Sequence, residues 1–163
     1  MRALVISDSH GATDLMSMLM SRMTEENKPD VLIYCGDGLR DVYAYKTVFS
    51  RFEAVRGNCD LNYPPEIALE KTSLIGDMFV FIAHGHAYKV KRTMLSLNFR
   101  AREVGAKVAC FGHTHQHYLE LHNGVLMLNP GALCKGCYAF LDIDRGNAHA
   151  TLMHYSQEET NLL

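Results

Sequence analysis

The side chains best suited to chemistry in this sequence are histidines and aspartates that directly follow apolar segments. The clearest example is Gly112-His113-Thr114-His115, which follows the apolar run 107–111. Neutral imidazole nitrogens are the commonest protein ligands for transition metals. Because alternate residues of an extended or sharply turned backbone point to opposite sides, one short loop can offer two nitrogens to neighbouring positions. The motif predicts a metal site if further ligands converge on it.

Four other apolar segments also end at residues that can bind a metal. The residues that follow them are Asp8 and His10, Asp37, Asn58, and His84. In open α/β sheets, ligands bind beyond the carboxyl ends of the strands. If the strands share a sheet and run parallel in part, their ends bring carboxylate, amide and imidazole groups to one edge. Such a mixed set of oxygens and nitrogens suits Mn, Fe, Co, Ni or Zn better than Ca or Mg.

Together the five segments supply more ligands than one tetrahedral ion can use. The predicted metal ligands are Asp8, His10, Asp37, Asn58, His84, His113 and His115. They suit two divalent ions about 3.5–4 Å apart, with manganese expected first and nickel, cobalt, iron or zinc as alternatives. One ligand must then bridge the ions, and the two oxygens of Asp37 make it the expected one. Gly36, Gly57 and Gly112 are expected to let the backbone turn sharply next to the ions.

Each segment end also has an interpretation without a metal. Asp8 can cap a helix, Gly36-Asp37 is a common turn, and Asn58 can hold a turn through its side chain. His84 can be a partly buried histidine whose hydrogen bonds are satisfied. The occurrence of such residues after five separate apolar segments favours the metal site over these separate explanations.

The apolar spacing predicts strands and helices that would position these loops. Strands are expected at 3–7, 31–35, 53–56, 78–83 and 107–111, and helices at 13–24, 41–52 and 94–104. Thr13 is the expected N-cap of the first helix. After a break at Pro64-Pro65, Ile67, Leu69 and Leu74 indicate a half-exposed strand. The fold class is therefore expected to be α/β.

Two hairpins are expected in the last third of the chain. They join 117–122 to 125–128 and 138–143 to 148–155. Asn123-Gly124 predicts a type I′ turn in the first of them. Exposed methionine and tyrosine residues of the hairpins leave a homo-oligomer open without specifying its symmetry. The tail from Ser156 is polar and is expected to fray.

Length and composition indicate one globular domain over residues 1–163. Hydrophobic residues are 48% and charged residues 21%, as in an ordinary folded protein. The net charge of −2 gives no strong nucleic-acid signal, and no apolar run is long enough to span a bilayer. Five cysteines cannot all pair, which predicts the reducing cytoplasm. The C-x-x-C of Cys134 and Cys137 has no second pair to complete a Cys₄ zinc site, so a functional role for it is not expected.

The same residues resemble a known family signature. Asp8-x-His10, Gly36-Asp37, Gly57-Asn58, His84 and Gly112-His113-x-His115 are similar, in order and context, to the motifs of the calcineurin-like metallophosphoesterases. The small size and the Gly-Asn-Cys-Asp loop resemble most the short YfcE-type phosphodiesterases. The resemblance implies a single-domain, two-sheet α/β sandwich with helices flanking the sheets and the metals at the strand ends.

Carried over by position, the resemblance also implies how the ligands are divided. Asp8, His10, Asp37 and His115 would hold the first ion. Asp37, Asn58, His84 and His113 would hold the second. The loop Asn129-Pro130-Gly131 resembles one that faces the site in these proteins. His84 is preferred to His86 as a ligand because it directly follows its strand, which leaves His86 next to the ligands or near the substrate.

One residue departs from the common pattern. Many family members have a histidine after the asparagine, where it is thought to help protonate the leaving group, and Cys59 stands there in this sequence. A thiol is a poorer acid–base group unless its pKa is tuned, so good leaving groups are favoured. Cys59 as a thiolate nucleophile is the less simple alternative to a hydroxide that bridges the ions.

The predicted function is metal-dependent hydrolysis of a small phosphate ester, most simply a phosphodiester attacked by a metal-bridging hydroxide. Asn58 would ligate a metal and touch the phosphate. Distal parts of the substrate could meet the basic residues Arg40, Lys89, Lys91 or Arg92, although solvation is the simpler explanation of each. A phosphomonoesterase acting on nucleotides or proteins, and a binding scaffold of the same fold, are the alternatives.

Overall fold

Two five-stranded sheets form the centre of the protein in a computed structural model, which describes residues 1–61 and 66–155. The first sheet contains β1 (Arg2–Ile6), β2 (Val31–Tyr34), β3 (Arg51–Ala54), β9 (Cys137–Asp144) and β10 (Asn147–His154), in the order β10-β9-β1-β2-β3. The second contains β4 (Glu70–Ile75), β5 (Met78–Ala83), β6 (Val108–Cys110), β7 (His117–His122) and β8 (Val125–Pro130), in the order β4-β5-β6-β8-β7. The predicted two-sheet α/β sandwich is confirmed.

Helices cover the outer faces of the sandwich. They are α1 (Thr13–Ser21), α2 (Leu39–Tyr43) and α3 (Leu95–Glu103). Branched apolar residues from both sheets, such as Val5, Ile33 and Val108, fill the space between the sheets. The outer face of the first sheet packs against α1 and α2, and that of the second packs against α3. Each sheet is thus buried on both faces, which explains the uninterrupted apolar runs of its central strands.

The parallel strands place their carboxyl ends at one side of the molecule. β1, β2 and β3 run parallel in the first sheet, and β5, β6 and β8 run parallel in the second. The two sets meet there, because the backbone N–H of His113, after β6, donates to Asp8 Oδ2, after β1, and the His84 ring, after β5, lies 2.8 Å from the carbonyl oxygen of Cys35, after β2. We call this side, formed by the loops after β1, β2, β3, β5 and β6, the site end.

Some bounds of the predicted elements were wrong: β3 lies at Arg51–Ala54 and not at 53–56, and α1 ends at Ser21 and not at 24. Three further details also differ. The helix expected at 41–52 ends at Tyr43, because the next residues include aromatic and β-branched side chains that favour helices weakly, and the chain continues in i→i+3 turns until β3 begins at Arg51. Thr13 is the first residue of α1 rather than its cap, which is Ala12. Finally, Ser73 and Ile75, and not the exposed Leu74, point inward from β4.

Both predicted hairpins are confirmed. Asn123 and Gly124 have φ values of 49° and 79°, as a type I′ turn requires. The predicted break at 64–65 and the tail from residue 156 lie outside the described residues. Among the described helices, none has the length and apolar character needed to cross a lipid bilayer.

Candidate metal centre

The seven predicted ligands meet at the site end. Six of them, together with Cys59, form overlapping groups whose donor atoms all lie within 4.8 Å of one another: Asp8, His10 and His115; His10, Asp37 and Cys59; and Asp37, His84 and His113. Asn58 joins them, since its Oδ1 lies 3.2 Å from His84 Nε2. Residues separated by more than 100 positions in the chain therefore share one cluster.

Asp8 is held so that only one of its carboxylate oxygens faces the cluster. Its side chain is fully buried, and Oδ2 accepts hydrogen bonds from Ser7 Oγ at 2.7 Å and from the His113 N–H at 3.0 Å. Oδ1 is also buried and has no hydrogen-bond partner among the described residues, yet His115 Nε2 lies 3.1 Å from it. A buried carboxylate oxygen surrounded by imidazole nitrogens fits a site for a cation.

Asp37, like Asp8, has one carboxylate oxygen bonded to the backbone and one facing the cluster. It belongs both to the group with His10 and to the group with His84 and His113, which we call the two halves of the cluster. Its Oδ1 accepts a hydrogen bond from the Cys59 N–H at 2.8 Å. Its Oδ2 lies 3.3 Å from His84 Nε2 and 3.9 Å from His10 Nε2. Burial raises the pKa of this carboxyl, but the hydrogen bonds from His84 and Cys59 outweigh burial and hold the pKa well below its usual range. Asp37 is therefore an ionised group shared by both halves.

His84 is oriented by the backbone of the neighbouring sheet. Its Nδ1 lies 2.8 Å from the carbonyl oxygen of Cys35, so Nδ1–H donates to that carbonyl and Nε2 faces the cluster. A backbone carbonyl on the far nitrogen is the usual way in which proteins orient a histidine ligand. Burial opposes protonation of His84, but the hydrogen bond to Asp37 and the charge of Asp8 raise its pKa. A divalent cation would take the place of that proton.

The remaining imidazoles are closely spaced and partly exposed. His10 Nε2 and His115 Nε2 are 3.2 Å apart, and about a third of each side chain is exposed. Burial, with the charges of His84 and Lys91, lowers the pKa of His113 to about 4. His113 is thus a neutral imidazole at physiological pH, the form that binds metals. The donor set as a whole fits transition-metal ions.

Cys59 and His86 lie at the edge of the cluster. Cys59 is exposed as a residue, but its thiol is partly removed from solvent. This partial burial, together with the neighbouring Asp37, raises the pKa of the thiol and so disfavours the thiolate. The His86 ring is 5.4 Å from that of His84 and 6.1 Å from that of His113. Its Nδ1 is buried and has no hydrogen-bond partner among the described residues. Both side chains therefore lie next to the donor atoms of the cluster without being among the seven predicted ligands.

The glycines beside the cluster are needed for two different reasons. Gly36 has a φ of +95°, so it turns the backbone as predicted. Gly57 and Gly112 do not have positive φ, and the structure gives a different reason for a glycine at these two positions. A Cβ at Gly57 would overlap Asp37 Oδ1, and one at Gly112 would overlap Ser7 Oγ. These two glycines leave room for the carboxylates and their partners.

Asp60 is a residue of the site that sequence reasoning missed. Its carboxylate is buried and accepts four backbone hydrogen bonds of 2.8–2.9 Å, from the N–H groups of Asp37, Gly38, Leu39 and Gly57. It therefore ties the loop after β2 to the loop after β3. The signal was an aspartate at the end of the turn Gly57-Asn58-Cys59-Asp60, since aspartate in a turn often accepts backbone hydrogen bonds.

Asn129 has a similar role in the second sheet. It is buried, and its Nδ2 donates to the carbonyl of Gly112 at 2.9 Å and to Thr114 Oγ1 at 3.0 Å. The loop predicted to face the site thus supports the loop that carries His113 and His115.

The other residues singled out from the sequence lie outside the cluster. The basic side chains of Arg40, Lys89, Lys91 and Arg92 are all exposed. Of these, Lys91 lies close enough to affect the pKa of His113. Cys134 lies in the 3₁₀ turn Leu133–Lys135 and Cys137 is the first residue of β9; both are free thiols, and burial raises the pKa of each.

The chain has clear relatives of known class. The calcineurin-like phosphoesterase superfamily domain matches residues 1–146. YsnB of Bacillus subtilis, described as a probable metallophosphoesterase, is 33% identical over 165 residues, which cover 96% of this chain and 92% of YsnB. The chain therefore belongs to the calcineurin-like phosphoesterase superfamily and is a metal-dependent phosphoesterase, a hydrolase.

Solved structures share the fold at lower identity. An archaeal phosphodiesterase superposes with a TM-score of 0.72 and 22% identity, covering 94% of this chain and all of that one. Vps29 from Entamoeba histolytica complexed with zinc superposes with a TM-score of 0.74 and 18% identity, covering 95% and 99%. At these identities the likeness concerns the fold alone.

Proposed function

We propose that the protein hydrolyses phosphodiesters at a centre that holds two divalent transition-metal ions. The observation that carries this proposal is the position of Asp37. One of its oxygens lies between His10, in one group of donors, and His84, in the other. A carboxylate in this position can bridge two ions, and two ions flanking a phosphoryl group form the usual clamp for phosphate-ester hydrolysis.

The donor atoms divide into two sets that share Asp37. Asp8, His10, Asp37 and His115 would hold the first ion, and Asp37, Asn58, His84 and His113 would hold the second. Mixed carboxylate, amide and imidazole donors suit manganese, with nickel, cobalt, iron or zinc as alternatives. When bound, such ions lower the pKa of a water molecule and neutralise the charge of the phosphoryl oxygens.

Three side chains of the chain itself would act on the substrate. The exposed Asn58 can bind a metal through Oδ1 while its Nδ2 donates to a phosphoryl oxygen. His86, beside the cluster, can donate a hydrogen bond to the phosphate from its ring. Cys59 stays a neutral thiol, which is a weak proton donor for the leaving group. The chemistry therefore depends on leaving groups that depart readily.

A diester is favoured over a monoester by the openness of the site and by its weak general acid. About a third of the His10 and His115 side chains is exposed, so space remains for two ester groups around the phosphorus. The fold is also that of the archaeal phosphodiesterase. A small phosphate ester is thus the proposed partner, while a homo-oligomer and the cytoplasmic location stay predictions.

A non-catalytic scaffold is the second candidate, because Vps29 proteins share this fold. In this chain, however, all seven donor positions carry residues that can bind a metal, and six of them fall into groups with donor atoms within 4.8 Å of one another. A site that binds no cation would not need a buried carboxylate oxygen that lacks a hydrogen-bond partner among the described residues, as Asp8 Oδ1 does.

The direct test is hydrolysis of bis-p-nitrophenyl phosphate by protein reconstituted with Mn²⁺ or Ni²⁺, with p-nitrophenyl phosphate as the monoester comparison. We expect a higher kcat/KM for the diester, loss of activity with a chelator, and about two ions per chain by elemental analysis. Metal-loaded protein that is inactive on both esters would contradict the proposal. Fewer than about two ions per chain after reconstitution would favour the scaffold.

A further inference from the structure

A groove opens beside the proposed metal centre on the side of the second sheet. Its volume is about 470 Å³, within the range of small-molecule sites. Its walls include Val90, Lys91, Met94, Thr114, Gln116 and Tyr118. We call it the Thr114 groove.

The groove adjoins the loop that carries two of the proposed ligands. Thr114 stands between His113 and His115, and its Oγ1 accepts a hydrogen bond from Asn129 at 3.0 Å. The backbone N–H of His113 donates to Asp8 Oδ2 in turn. One end of the groove is therefore fixed next to the loop that carries His113 and His115, and Lys91 in its wall lies close enough to affect His113.

Apolar and polar groups line the groove in a way that suits a ring with polar edges. Tyr118 is partly buried and packs edge-on against Phe111 at 6.0 Å between ring centroids. Met94, which is partly buried, adds a flexible, polarisable thioether. Lys91 and Gln116 are exposed and offer hydrogen-bond donors. Aromatic and thioether surfaces bind flat rings well, and the donors can meet ring substituents or sugar hydroxyls.

A phosphodiester presents a group that needs such a place. In an in-line displacement one ester group leaves opposite the attacking oxygen, and the second ester group must project to one side. A monoester has no second group to accommodate. A larger groove of about 740 Å³ cannot serve, because it lies at the opposite side of the molecule among Asp77, Gly124 and Gly146.

We propose that the Thr114 groove binds the second ester group of the phosphodiester and selects groups that carry an aryl ring or a nucleobase. The inference rests on the proposed function and names the class of substrate that the site prefers. Thr114 sets the distance from the phosphate, Met94 and Tyr118 contact the ring, and Lys91 and Gln116 contact its polar edge.

A series of esters with one leaving group tests the preference. Methyl p-nitrophenyl phosphate, bis-p-nitrophenyl phosphate and the p-nitrophenyl ester of thymidine 5′-phosphate all release p-nitrophenolate, so the bond that breaks is the same. After correction for the two equivalent leaving groups of the bis ester, we expect similar kcat values. We expect a KM about tenfold lower for the two ring-bearing esters, which corresponds to roughly 1.4 kcal/mol of binding. The thymidine and aryl arms show which ring is preferred.

Two groove variants and one control locate the effect. Met94→Ala removes a contact with the ring. Gln116→Trp fills the groove from an exposed position, and the hydrogen bonds of Gln116 to Thr114 use only its backbone. Each should raise KM about five- to tenfold for the ring-bearing esters and leave the methyl ester unchanged. Met18→Ala, which removes an exposed methionine from α1, should leave all three esters unchanged. Equal losses for all three esters in the groove variants would overturn the inference.

Binding without turnover separates this inference from the proposed function. Diphenyl phosphate and dimethyl phosphate are titrated calorimetrically into the Mn²⁺-loaded protein and into Gln116→Trp. We expect the wild type to bind diphenyl phosphate about tenfold more tightly than dimethyl phosphate. We expect Gln116→Trp to show no such preference. If this preference appears but no ester is cleaved, the groove stands and the proposed activity fails. If esters are cleaved without any preference between the two phosphates, the groove assignment fails alone.

Discussion

The site end and the opposite side of the molecule use the same unusual backbone conformation for different purposes. We call the opposite side, formed by the turns at 76–77, 123–124 and 145–146, the turn end. Non-glycine residues with positive φ occur at eight described positions. They are Asp8, His10, Asp37, Lys89, His113, His115, Asn123 and Arg145. Five of the eight are predicted metal ligands, and only Asn123 and Arg145 belong to the turn end.

The two ends differ in the purpose that the residues with positive φ serve. A left-handed conformation costs a non-glycine residue about 1–2 kcal/mol. At the turn end, Asn123 and Arg145 each precede a glycine in a two-residue turn, which matches the twist of the hairpin strands. At the site end no hairpin is closed, and the strained residues instead aim carboxylates and imidazoles at a common point. Strain of this kind persists where function requires it.

The largest effect should come from the carboxylate shared by the two halves of the cluster. Asp37→Asn removes a charge while keeping the shape of the side chain. We expect kcat/KM for bis-p-nitrophenyl phosphate to fall about 1,000-fold and one or both ions to be lost, since metal ligation contributes several kcal/mol to transition-state stabilisation. Asp144→Asn, in an exposed residue at the turn end, is the matched control. Retention of both ions and activity in Asp37→Asn would remove the proposed bridge.

A smaller loss should follow from changing the aspartate that joins two loops of the site end. Asp60→Ala leaves four backbone N–H groups without their acceptor. We expect metal affinity, measured by competition with a chromogenic chelator, to fall about 10- to 100-fold, as for groups that orient ligands. Asp60→Asn, which keeps one acceptor oxygen, should recover part of this affinity.

The control for Asp60 is the aspartate that has the corresponding role at the turn end. Asp77 is exposed, and its Oδ2 accepts a hydrogen bond from the N–H of Gly146 at 2.6 Å. Asp77→Ala should leave metal affinity and kcat unchanged. If both variants lose stability equally and neither loses metal affinity, Asp60 supports the fold and not the site.

The pH dependence of stability should distinguish the sheet between the two ends from the site itself. Glu53, which is largely buried on β3, forms ion pairs of 2.5 Å with Arg51 and Lys71. Burial raises the pKa of Glu53, but the two cations outweigh burial and lower the pKa below its usual value of 4.5. A depressed pKa contributes stability that is present above pH 4.5 and is lost as pH falls through the lowered value.

Glu53→Gln should therefore lower the free energy of unfolding by about 1–3 kcal/mol at pH 7 and by much less at the acid end. The measurement is urea unfolding from pH 7 downward, in the presence of a chelator so that metal binding does not contribute. A constant difference between wild type and variant at every pH would contradict the assignment.

The smallest expected effect compares the strained residues themselves. His10→Gly and Arg145→Gly each remove the strain of one non-glycine residue with positive φ from the folded state. The greater conformational entropy of glycine in the unfolded chain offsets part of this gain in stability. We expect both variants to raise the free energy of unfolding of the metal-free protein by about 0.5 kcal/mol. Only His10→Gly should lose activity. A loss of stability in metal-free His10→Gly would mean that contacts of the His10 ring stabilise the fold and offset the backbone strain, so that no functional reason for the strain is needed.

Much of the site could be predicted because its signals are local. Each predicted ligand follows an apolar strand, and strand ends are visible from composition and glycines alone. The helix after β2 was predicted less well, since the residues from Tyr45 to Val48 have a weak helix preference and form i→i+3 turns instead. Asp60 was missed because its four partners lie on two loops, whose approach no local pattern reveals.

What the sequence by itself determined is the order of strands, loops and donor side chains, because local preferences and burial are set within a few residues. Tertiary structure alone decided the rest. It placed Asp37 between two groups of imidazoles, paired Asp8 with His113, and opened a groove next to Thr114. Each of these depends on the packing of two sheets, in which residues about 100 positions apart meet only after the whole chain has folded.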